Sequence, residues 1–340
     1  MAGKRTTLRD VAVAAGVSTM SVSKALNNKG GLSPKTVKHI LEVARQLNYQ
    51  PNLVAKSLRL DETKTLGVVV SDSSEMVVAK VLRGIADYAE EQGYNIIISN
   101  TDSDRQKERR AVETLISKCI DGLLIVASTL TSDEDSEWLK SLGIPIILLM
   151  RENKHASLDC VMNNNYDGGY QLARHLIECG CRRFGFISLT SISQSGLDRM
   201  DGASQALKES GIPCNPDHVL FSLPMIQNGY ESAKQLMQKD EAFDAIVCGC
   251  DLIAVGAMEA LRELGIEIPR RLRICGYDDI ELAGYLRVPL TTMRQPLYEI
   301  GQKGVQMILE RIISPQMPVQ RVILNSTLVV RGSSVEQGPR

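Results

Sequence analysis

Hydrophobic positions near the amino terminus recur at helical spacing and predict two short helices separated by a sharp turn. The first helix places its apolar residues at positions i, i+3, i+4 and i+7, namely Leu8, Val11, Ala12 and Ala15. Gly16 permits the turn that follows, because glycine adopts backbone angles that other residues avoid. The second helix buries Val22 and Leu26 and leaves its other face polar. This pattern predicts a helix-turn-helix, whose second helix fits a DNA major groove. A helical hairpin in some other small domain is the alternative.

Three helix starts carry residues that cap the first turn. Thr7 precedes Asp10 by three residues, which predicts a capping box, and Ser18 is placed to cap the second helix. Ser33 and Pro34 predict the start of a third helix. Its apolar face consists of Val37, Ile40, Leu41, Ala44 and Leu47, and we expect Tyr49 to close the small core.

Residues 50–62 predict a linker between two parts of the chain. Pro51 breaks the third helix, and Asn52 can cap a short segment over residues 53–60. This segment is apolar on one side but too short to form a stable helix alone. We expect it to become a hinge helix only with a partner.

From Leu66 the pattern changes to apolar strands that alternate with helices. The predicted strands are Leu66–Val70, Asn95–Ser99, Gly122–Val126, Ile144–Leu149, Cys160–Asn163, Phe184–Ile187, Ala245–Cys248 and Arg273–Gly276. The predicted helices between them are Val77–Gln92, Lys107–Ser117, Glu134–Leu142, Gly168–Glu178, Arg199–Ser210, Gly229–Gln238 and Leu252–Leu264. Such alternation predicts an α/β body of two lobes with parallel sheets covered on both faces. Ligands of such sheets bind at the carboxyl ends of the strands, here in a cleft between lobes.

Charge divides the chain in the same way. Residues 1–60 hold ten lysine or arginine side chains and two carboxylates, whereas residues 61–340 hold 29 basic and 38 acidic side chains. A basic head is the electrostatic signature of a protein that binds a polyanion. The acidic body leaves contact with that polyanion to the head.

Composition and motifs exclude several other classes. No apolar run reaches the ~18 residues of a membrane span, and the first residues lack the apolar segment of a secretory signal, so we expect a cytoplasmic protein. Eight cysteines are then expected to be thiols. Cys179-Gly-Cys181 and Cys248-Gly-Cys250 lack the spacing of a zinc knuckle, so we predict neither metal nor cofactor.

An α/β enzyme would need a phosphate loop or a catalytic triad, which the motifs do not suggest. A transporter's solute-binding protein would have a signal peptide.

Several motifs in order along the chain resemble the lactose/galactose repressor (LacI/GalR) family, and the similarity extends to about Ser333. In the head they are Asp10-Val11-Ala12, Ala15-Gly16-Val17-Ser18, Val22-Ser23 and Tyr49-x-Pro51-Asn52. In the body they are Leu82-Arg83-Gly84-Ile85, Asp121-Gly122-Leu123-Leu124, Asn164-x-x-x-Gly168, Asp251-x-x-Ala254-x-Gly256, Gly276-Tyr277-Asp278-Asp279 and Leu290-Thr291-Thr292-x-x-Gln295-Pro296. The resemblance implies a homodimeric transcription regulator, most simply a repressor, that binds double-stranded pseudo-palindromic operator DNA. Its body would resemble periplasmic sugar-binding proteins and hold a small effector between the lobes.

The same resemblance implies roles for residues of the head. Base edges would be contacted by Thr19, Met20, Ser23 and Lys24, and phosphates by Thr7, Ser18 and Asn27. Lys24 replaces an arginine that is frequent in the family, which removes a bidentate fork. In the hinge, Leu58, together with Ala55, would contact the minor groove, where an apolar wedge bends DNA. The alternative for Leu58 is simple hinge packing.

The resemblance also implies an effector site at Arg199 and Asp278. Asp251 and Arg151 are further candidates, although Asp251 could instead cap a helix and Arg151 could instead form a surface salt bridge. Two arginines beside one aspartate favour an anionic effector such as a sugar phosphate or acidic sugar, with a neutral sugar as the alternative. Val77 and Val78 replace the aromatic residues of many relatives, which argues against a stacked purine.

The predicted domains follow from these patterns. Residues 1–49 form the head, 50–62 the hinge and 63–340 the body. Within the body, one lobe comprises about 63–163 plus 295–324, and the other about 164–294 plus 325–340. Neither the identity of the effector nor the direction of its control over DNA binding follows from the residues.

Overall fold

The computed structural model describes residues 6–26, 30–49, 62–151, 158–191, 193–239 and 242–336. The chain divides into two compact units, Met1–Thr63 and Lys64–Arg340. We call the three helices of the first unit the head and the second unit the body. Their folds are described separately.

The head consists of three helices around a small apolar core. They are α1 (Leu8–Ala15), α2 (Thr19–Leu26) and α3 (Pro34–Gln46). The buried residues of the core are Val11, Ala12, Ala15, Val22, Ala25, Ile40 and Ala44. Tyr49 packs against them as predicted, but Leu41 and Leu47 are exposed on α3. Their predicted burial is wrong because the core of this small unit covers only one narrow face of that helix.

The predicted helix caps of the head are confirmed. Thr7 and Asp10 form a capping box, in which the Thr7 backbone N–H donates to Asp10 Oδ2 at 2.8 Å. Ser33 Oγ accepts from the Thr36 backbone N–H at 3.1 Å, with Pro34 in the first helical position. Gly16 has a φ of 65°, which is the left-handed conformation that ends α1.

The body contains two six-stranded sheets. The first consists of β1 (Thr65–Val70), β2 (Asn95–Asn100), β3 (Gly122–Val126), β4 (Ile146–Leu149), β5 (Asp159–Asn163) and β11 (Arg321–Leu324). The second consists of β6 (Phe184–Leu189), β7 (Val219–Ser222), β8 (Ala245–Cys248), β9 (Arg273–Asp278), β10 (Thr291–Arg294) and β12 (Thr327–Val329). The strand orders are β11-β5-β4-β3-β1-β2 and β12-β10-β9-β8-β6-β7. Every pairing is parallel except that of β12 with β10.

Helices cover both faces of each sheet, which explains why most central strands are apolar throughout. The helices of the body are α4 (Met76–Glu91), α5 (Arg105–Ser117), α6 (Asp133–Ser141), α7 (Asn165–Glu178), α8 (Gln194–Glu209), α9 (Ile226–Lys239), α10 (Asp251–Glu263) and α11 (Leu297–Ile313). Short 3₁₀ turns lie at Pro216–His218 and Glu281–Gly284. Each sheet with its helices forms one lobe.

Three chain segments cross from one sheet to the other. The first crossover follows β5 and leads through Asn164 into α7, which packs in the second lobe. The second crossover, Gln295–Pro296, leads from β10 into α11, which packs in the first lobe. The third crossover, Asn325–Ser326, joins β11 to β12. These crossovers are the covalent links between lobes.

The predicted alternation of strands and helices is confirmed, but the prediction omitted five elements. They are β7, β10, β11, β12 and the long helix α11. The omitted strands are three or four residues long, and β7, β11 and β12 lie at sheet edges where burial is incomplete. Strands of three or four residues are too short for their pattern to separate a strand from a loop. Among the described residues, no helix combines the length and apolar character that a membrane span requires.

Candidate functional site

The exposed face of α2 carries the four side chains predicted to contact base edges. Thr19, Met20 and Lys24 are exposed, and Ser23 is half-buried. Met20 is 68% exposed, so its side chain is open to a partner. Val22 and Ala25 hold the opposite face of α2 against the core. Helix α2 therefore presents a small polar and apolar surface that matches a recognition helix.

The predicted phosphate contacts lie at helix amino termini. Thr7 precedes α1, and its hydroxyl donates to Asp10 Oδ2 at 2.7 Å. Ser18 precedes α2, and its Oγ accepts from the Ser21 backbone N–H at 3.1 Å. Both positions begin a helix, and the first turn of a helix suits a phosphate because its backbone N–H groups lack intrahelical acceptors. The predicted contacts of Asn27, Ala55 and Leu58 lie outside the described residues.

In the body, the buried guanidinium of Arg199 lies where strands of the second sheet end. Its Nε donates to Asn165 Oδ1 at 2.9 Å, and its Nη1 donates to the Gly249 carbonyl at 2.6 Å. The group stacks over the Tyr277 ring at 3.6 Å from the centroid. Its Nη1 lies 3.8 Å from Asp278 Oδ1. Arg199 and Asp278, which sequence analysis placed in one site, are thus brought together.

Asp278 stands at the end of β9 with a conformation that side chains rarely adopt. Its φ is 118° and that of Asp279 is 52°. Strain of about 1–3 kcal/mol per residue is typical of such positions and collects at functional sites. Burial raises the pKa of Asp278 to about 6, although Arg199, Gln295 and Lys80 favour its charged form. The carboxylate therefore changes charge close to neutral pH.

Four further residues contribute contacts that sequence analysis did not predict. Asn165 and Tyr277 hold Arg199, and Gln295 Nε2 donates to Asp278 Oδ1 at 2.5 Å. Lys80 Nζ reaches from the first lobe to the Asp279 carbonyl at 3.2 Å. Tyr277 and Gln295 belong to the motifs quoted above, so the resemblance held a signal for them. Nothing in the local pattern pointed to Lys80, whose partner is 199 residues away.

Asp251 makes contacts that sequence analysis did not predict. Its backbone begins α10, whose cap position is Cys250, so the capping interpretation is wrong. The side chain is fully buried, and its two oxygens accept from the Ile280 backbone N–H at 2.9 Å and from Thr292 Oγ1 at 2.6 Å. Both oxygens are thus engaged within the protein, and a contact of Asp251 with an effector stays a prediction. Asp251 instead holds Ile280 and Thr292 and so fixes the backbone turn at Asp278–Ile280, which we call the corner.

Arg151 lies after β4 in the first lobe. Its Nη1 donates to the Ser128 carbonyl at 2.8 Å, so it does not form the proposed surface salt bridge. Burial lowers the pKa of Arg151, and the Glu108 carboxylate opposes that shift. Glu108 is itself buried and accepts from the Thr129 backbone N–H at 2.8 Å. Arg151 and Arg199 thus lie in different lobes, each close to a carboxylate of its own lobe.

The valines at the predicted stacking position cannot act as a platform for a ring. Val78 is 2% exposed within the core of the first lobe, and Val77 is half-buried against the same core. These two side chains therefore serve the packing of the first lobe.

Comparison with known proteins agrees with this geometry. Residues 7–52 match the model of bacterial regulatory proteins of the lacI family, and residues 173–334 match a periplasmic binding protein-like domain. The HTH-type transcriptional repressor PurR of Haemophilus influenzae (strain PittEE) is 33% identical over 330 residues, which cover 96% of this chain and 98% of that protein. The chain belongs to the LacI family.

Other LacI-family proteins match over nearly the whole chain. The ribose operon repressor of Haemophilus influenzae (strain ATCC 51907 / DSM 11121 / KW20 / Rd) is 33% identical over 327 residues, covering 96% of this chain and 98% of that protein. The lac repressor dimer bound to operator and the anti-inducer ONPF is 25% identical with a TM-score of 0.89, covering 98% and 100% of the two chains. The CelR–cellobiose complex is 26% identical with a TM-score of 0.74, covering 97% and 100%.

These relatives confirm the predicted family, fold class and function class. The chain is a DNA-binding transcriptional repressor of the LacI family, and the alternatives of an enzyme and a transporter's solute-binding protein are not supported by its relatives. The individual contacts with bases, phosphates and effector stay predictions.

We expect Asp251→Asn to become increasingly stabilising as the pH rises. Burial, followed by repulsion from Asp278, raises the pKa of Asp251 to about 8. A folded-state pKa above the unfolded value of about 3.8 adds stability that is complete below pH 3.8 and is lost as the pH rises through 8. The amide keeps both hydrogen bonds without charge, since Thr292 can accept as well as donate. Relative to wild type, the variant should gain up to about 1.4 kcal/mol per pH unit between pH 5 and 8. Urea unfolding at several pH values measures this difference.

Asp135→Asn is the matched control for this titration. Burial raises the pKa of Asp135, but hydrogen bonds from Ser132 and Arg109 outweigh it and the net shift is downward. This control should therefore lose a constant amount of stability above pH 5. Parallel pH profiles for wild type and Asp251→Asn would contradict the assignment.

Proposed function

We propose that this LacI-family protein is a cytoplasmic homodimer that represses transcription from a pseudo-palindromic operator under the control of a small neutral polyol. Residues 1–49 would read DNA, residues 50–62 would form the hinge with Ala55 and Leu58 in the minor groove, and residues 63–340 would bind the effector and the second subunit. The observation that carries the effector site is the buried Arg199–Asp278 pair at the ends of the strands. A guanidinium and a carboxylate together bind hydroxyl groups, which both donate and accept.

Charge pairing favours a neutral effector over the anionic effector suggested by the two arginines. Asp278 faces Arg199, and Glu108 lies near Arg151, so each of these two arginines has a carboxylate close to it. An added phosphate would also meet the Asp278 carboxylate. Sugars provide hydroxyl groups without a net charge. Relatives with 26% and 28% identity have been solved with bound cellobiose and bound ribose.

Exposed apolar residues on the second lobe suit the face of a homodimer. Phe221, Leu223, Met225 and Ile226 follow one another along β7 and into α9, and each is at least 44% exposed. Next to them lies a groove of about 780 Å³ whose apolar lining includes Ile226, Val255, Met258 and Leu286. In the first lobe the edge strand β2 exposes Ile97 and Ile98. Such surfaces are typical of protein interfaces, and the similar lac repressor was solved as a dimer.

We expect Lys24→Ala to reduce sequence discrimination. The side chain is exposed on α2, where it would contact a base. Its loss should weaken operator binding by roughly 1–3 kcal/mol while changing non-specific binding much less. Arg45→Ala, which removes an exposed cation from the last turn of α3, is the matched control. Fluorescence anisotropy with operator and scrambled duplexes measures both. Equal losses of Lys24→Ala on the two duplexes would assign Lys24 to a phosphate.

We expect Ile226→Glu to dissociate the dimer, because a carboxylate would then be buried in an apolar contact without a partner. The dissociation constant measured by analytical ultracentrifugation should rise at least ~100-fold, which corresponds to a loss of about 2.7 kcal/mol. The control is Ile313→Glu at the end of α11, whose side chain is 81% exposed in the first lobe. Dimers of unchanged stability in both variants would place the interface elsewhere.

We expect a screen of ligands by thermal shift to select a neutral sugar rather than its phosphate. Calorimetric titration of the selected sugar should show that Arg199→Ala loses at least ~100-fold in affinity, because a fork of donors is removed and Asp278 loses its counter-charge. Arg151→Ala tests the alternative that two arginines hold an anionic effector. Selection of a sugar phosphate whose binding is lost equally in both arginine variants would show that the effector is anionic.

A further inference from the structure

A buried carboxylate of the first lobe, that of Glu108, is surrounded by hydrogen-bond donors. The residue lies in the first turn of α5 and is 2% exposed. Its Oε1 accepts from Ser128 Oγ at 2.5 Å, and its Oε2 accepts from the Thr129 backbone N–H at 2.8 Å and from Thr129 Oγ1 at 2.6 Å. Ser128 Oγ accepts from the Leu130 backbone N–H at 3.0 Å, so its own proton is left for Glu108. Such a set of donors suits a charged carboxylate, which only accepts hydrogen bonds.

Arg151 holds the same segment through another atom. Its Nη1 donates to the Ser128 carbonyl at 2.8 Å. Burial lowers the pKa of Arg151 and Glu108 raises it, so the two charges are close enough to interact. Among the residues that the structure describes, Arg151 Nε and Nη2 have no hydrogen-bond partner. We call Glu108, Ser128, Thr129 and Arg151 the strand-end cluster.

The strand-end cluster lies at the edge of the first sheet that faces the second lobe. Ser128 and Thr129 follow the carboxyl end of β3, and Arg151 follows that of β4. Both strands run parallel to β5, whose carboxyl end leads into the first crossover. From the same edge, Lys80 Nζ donates to the Asp279 carbonyl of the second lobe at 3.2 Å. Ligands of parallel sheets bind at this edge, so the free donors of Arg151 lie on the effector side of the lobe.

The backbone at both strand ends turns through a left-handed residue. Ala127 has a φ of 53° and Met150 has a φ of 65°. Conformations that side chains rarely adopt persist only where the surroundings fix them. Glu108 and Arg151 supply contacts that hold the residue after Ala127, which is Ser128. The two charged groups are therefore fixed relative to each other and to the sheet edge.

The carboxylate of Glu108 changes what Arg151 can attract. A guanidinium beside a ligand normally favours an anion, because its fork of donors matches a phosphate or a carboxylate. Glu108 already supplies an anionic group from within the protein. A negatively charged ligand would meet both charges, so that attraction by Arg151 and repulsion by Glu108 largely cancel. A neutral hydroxyl group needs only the free donors of Arg151.

We propose that Glu108 is a specificity-determining residue of the effector site, which makes the first lobe accept an uncharged ligand in preference to an anionic derivative of that ligand. Glu108 acts through Ser128 and Arg151, since both of its own oxygens are engaged within the protein. Because the place of the effector is taken from the proposed function, this role of Glu108 rests on it.

The test removes the charge of Glu108 and keeps its shape. In Glu108→Gln the amide oxygen can accept from Thr129, and the amide nitrogen can donate to the second lone pair of Ser128 Oγ. The control Glu113→Gln removes an exposed carboxylate from the same helix. A double variant, Glu108→Gln with Arg151→Gln, removes both charges of the cluster. Thermal melting verifies that every variant is folded.

Calorimetric titration with inorganic phosphate measures the charge of the cluster without a sugar. Phosphate should bind Glu108→Gln at least ~10-fold more tightly than wild type or Glu113→Gln, because Arg151 has lost its counter-charge. The double variant should bind phosphate as weakly as wild type. Equal phosphate affinities of Glu108→Gln and wild type, or tight binding that survives in the double variant, would overturn the proposal.

Ribose and ribose 5-phosphate are the sugar probes, since a relative of 28% identity was solved with bound ribose. Wild type should bind ribose at least ~10-fold more tightly than its phosphate, and Glu108→Gln should reduce or reverse this ratio. A ratio that Glu108→Gln leaves unchanged would contradict the role of Glu108. Wild-type protein that prefers ribose 5-phosphate, or binds neither sugar, would count against the proposed effector, and the phosphate titration then decides on Glu108 alone.

Glu108→Ala provides a second variant if the amide disturbs folding. It leaves the donors of Ser128, Thr129 and Arg151 around a cavity that acetate can fill with the same carboxylate group. Sodium acetate should raise the melting temperature of Glu108→Ala by about 2 °C or more relative to sodium chloride, since it binds only the folded state. Glu113→Ala should show no such difference. A Glu108→Ala variant that acetate does not stabilise would show that these donors need no anionic partner, contrary to the proposal.

Discussion

The pairing of buried charge at Arg199 and Asp278 is the interaction on which the rest of the body depends. An arginine that is 9% exposed and an aspartate that is 8% exposed have lost most of their hydration. Such groups need nearly all of their hydrogen bonds satisfied to stay charged. A tyrosine ring, a backbone carbonyl and two amide side chains supply part of these contacts. Gln295 belongs to the second crossover, and Asn165 begins the helix that the first crossover enters, so the charge pair lies next to the connections between the lobes.

Features set by neighbouring residues could be predicted from the sequence, whereas features set by distant residues could not. The capping box of Thr7 and Asp10 joins residues three positions apart. The strands β1, β3 and β8 are almost entirely apolar, so their burial could be predicted from their own residues. The contacts of Arg199 join residues 34 and 50 positions apart, and the one to Tyr277 joins different elements of the lobe. Family resemblance named Arg199 and Asp278, but the partners that hold them lie in α7, in β9 and after β8 and β10, and only the folded chain brings them together.

The argument for an anionic effector illustrates the same limit for electrostatics. Two arginines near strand ends indicate a positively charged site only if no carboxylate lies beside them. Glu108 belongs to α5 and Arg151 follows β4, so nothing in their spacing predicts that the two are neighbours. Because Coulomb energies fall with distance and with dielectric, the charge of a cleft depends on which groups face it. Counting charges along the chain succeeded for the head, because ten cations and only two carboxylates fall within residues 1–60.

Asp251 explains how the strained corner at Asp278 persists. A fully buried carboxylate whose pKa is raised to about 8 lowers the stability of the fold at neutral pH. Its two acceptors nevertheless hold the Ile280 backbone and Thr292, which lie on either side of the corner. Asp279 adds ion pairs of 2.6 Å to Arg294 and Arg331. A φ of 118° at Asp278 is stable only where neighbours fix it from several directions. The carboxylate thus lowers global stability and in return orients the one acid that faces Arg199, a trade of stability for geometry that a protein makes where geometry controls function.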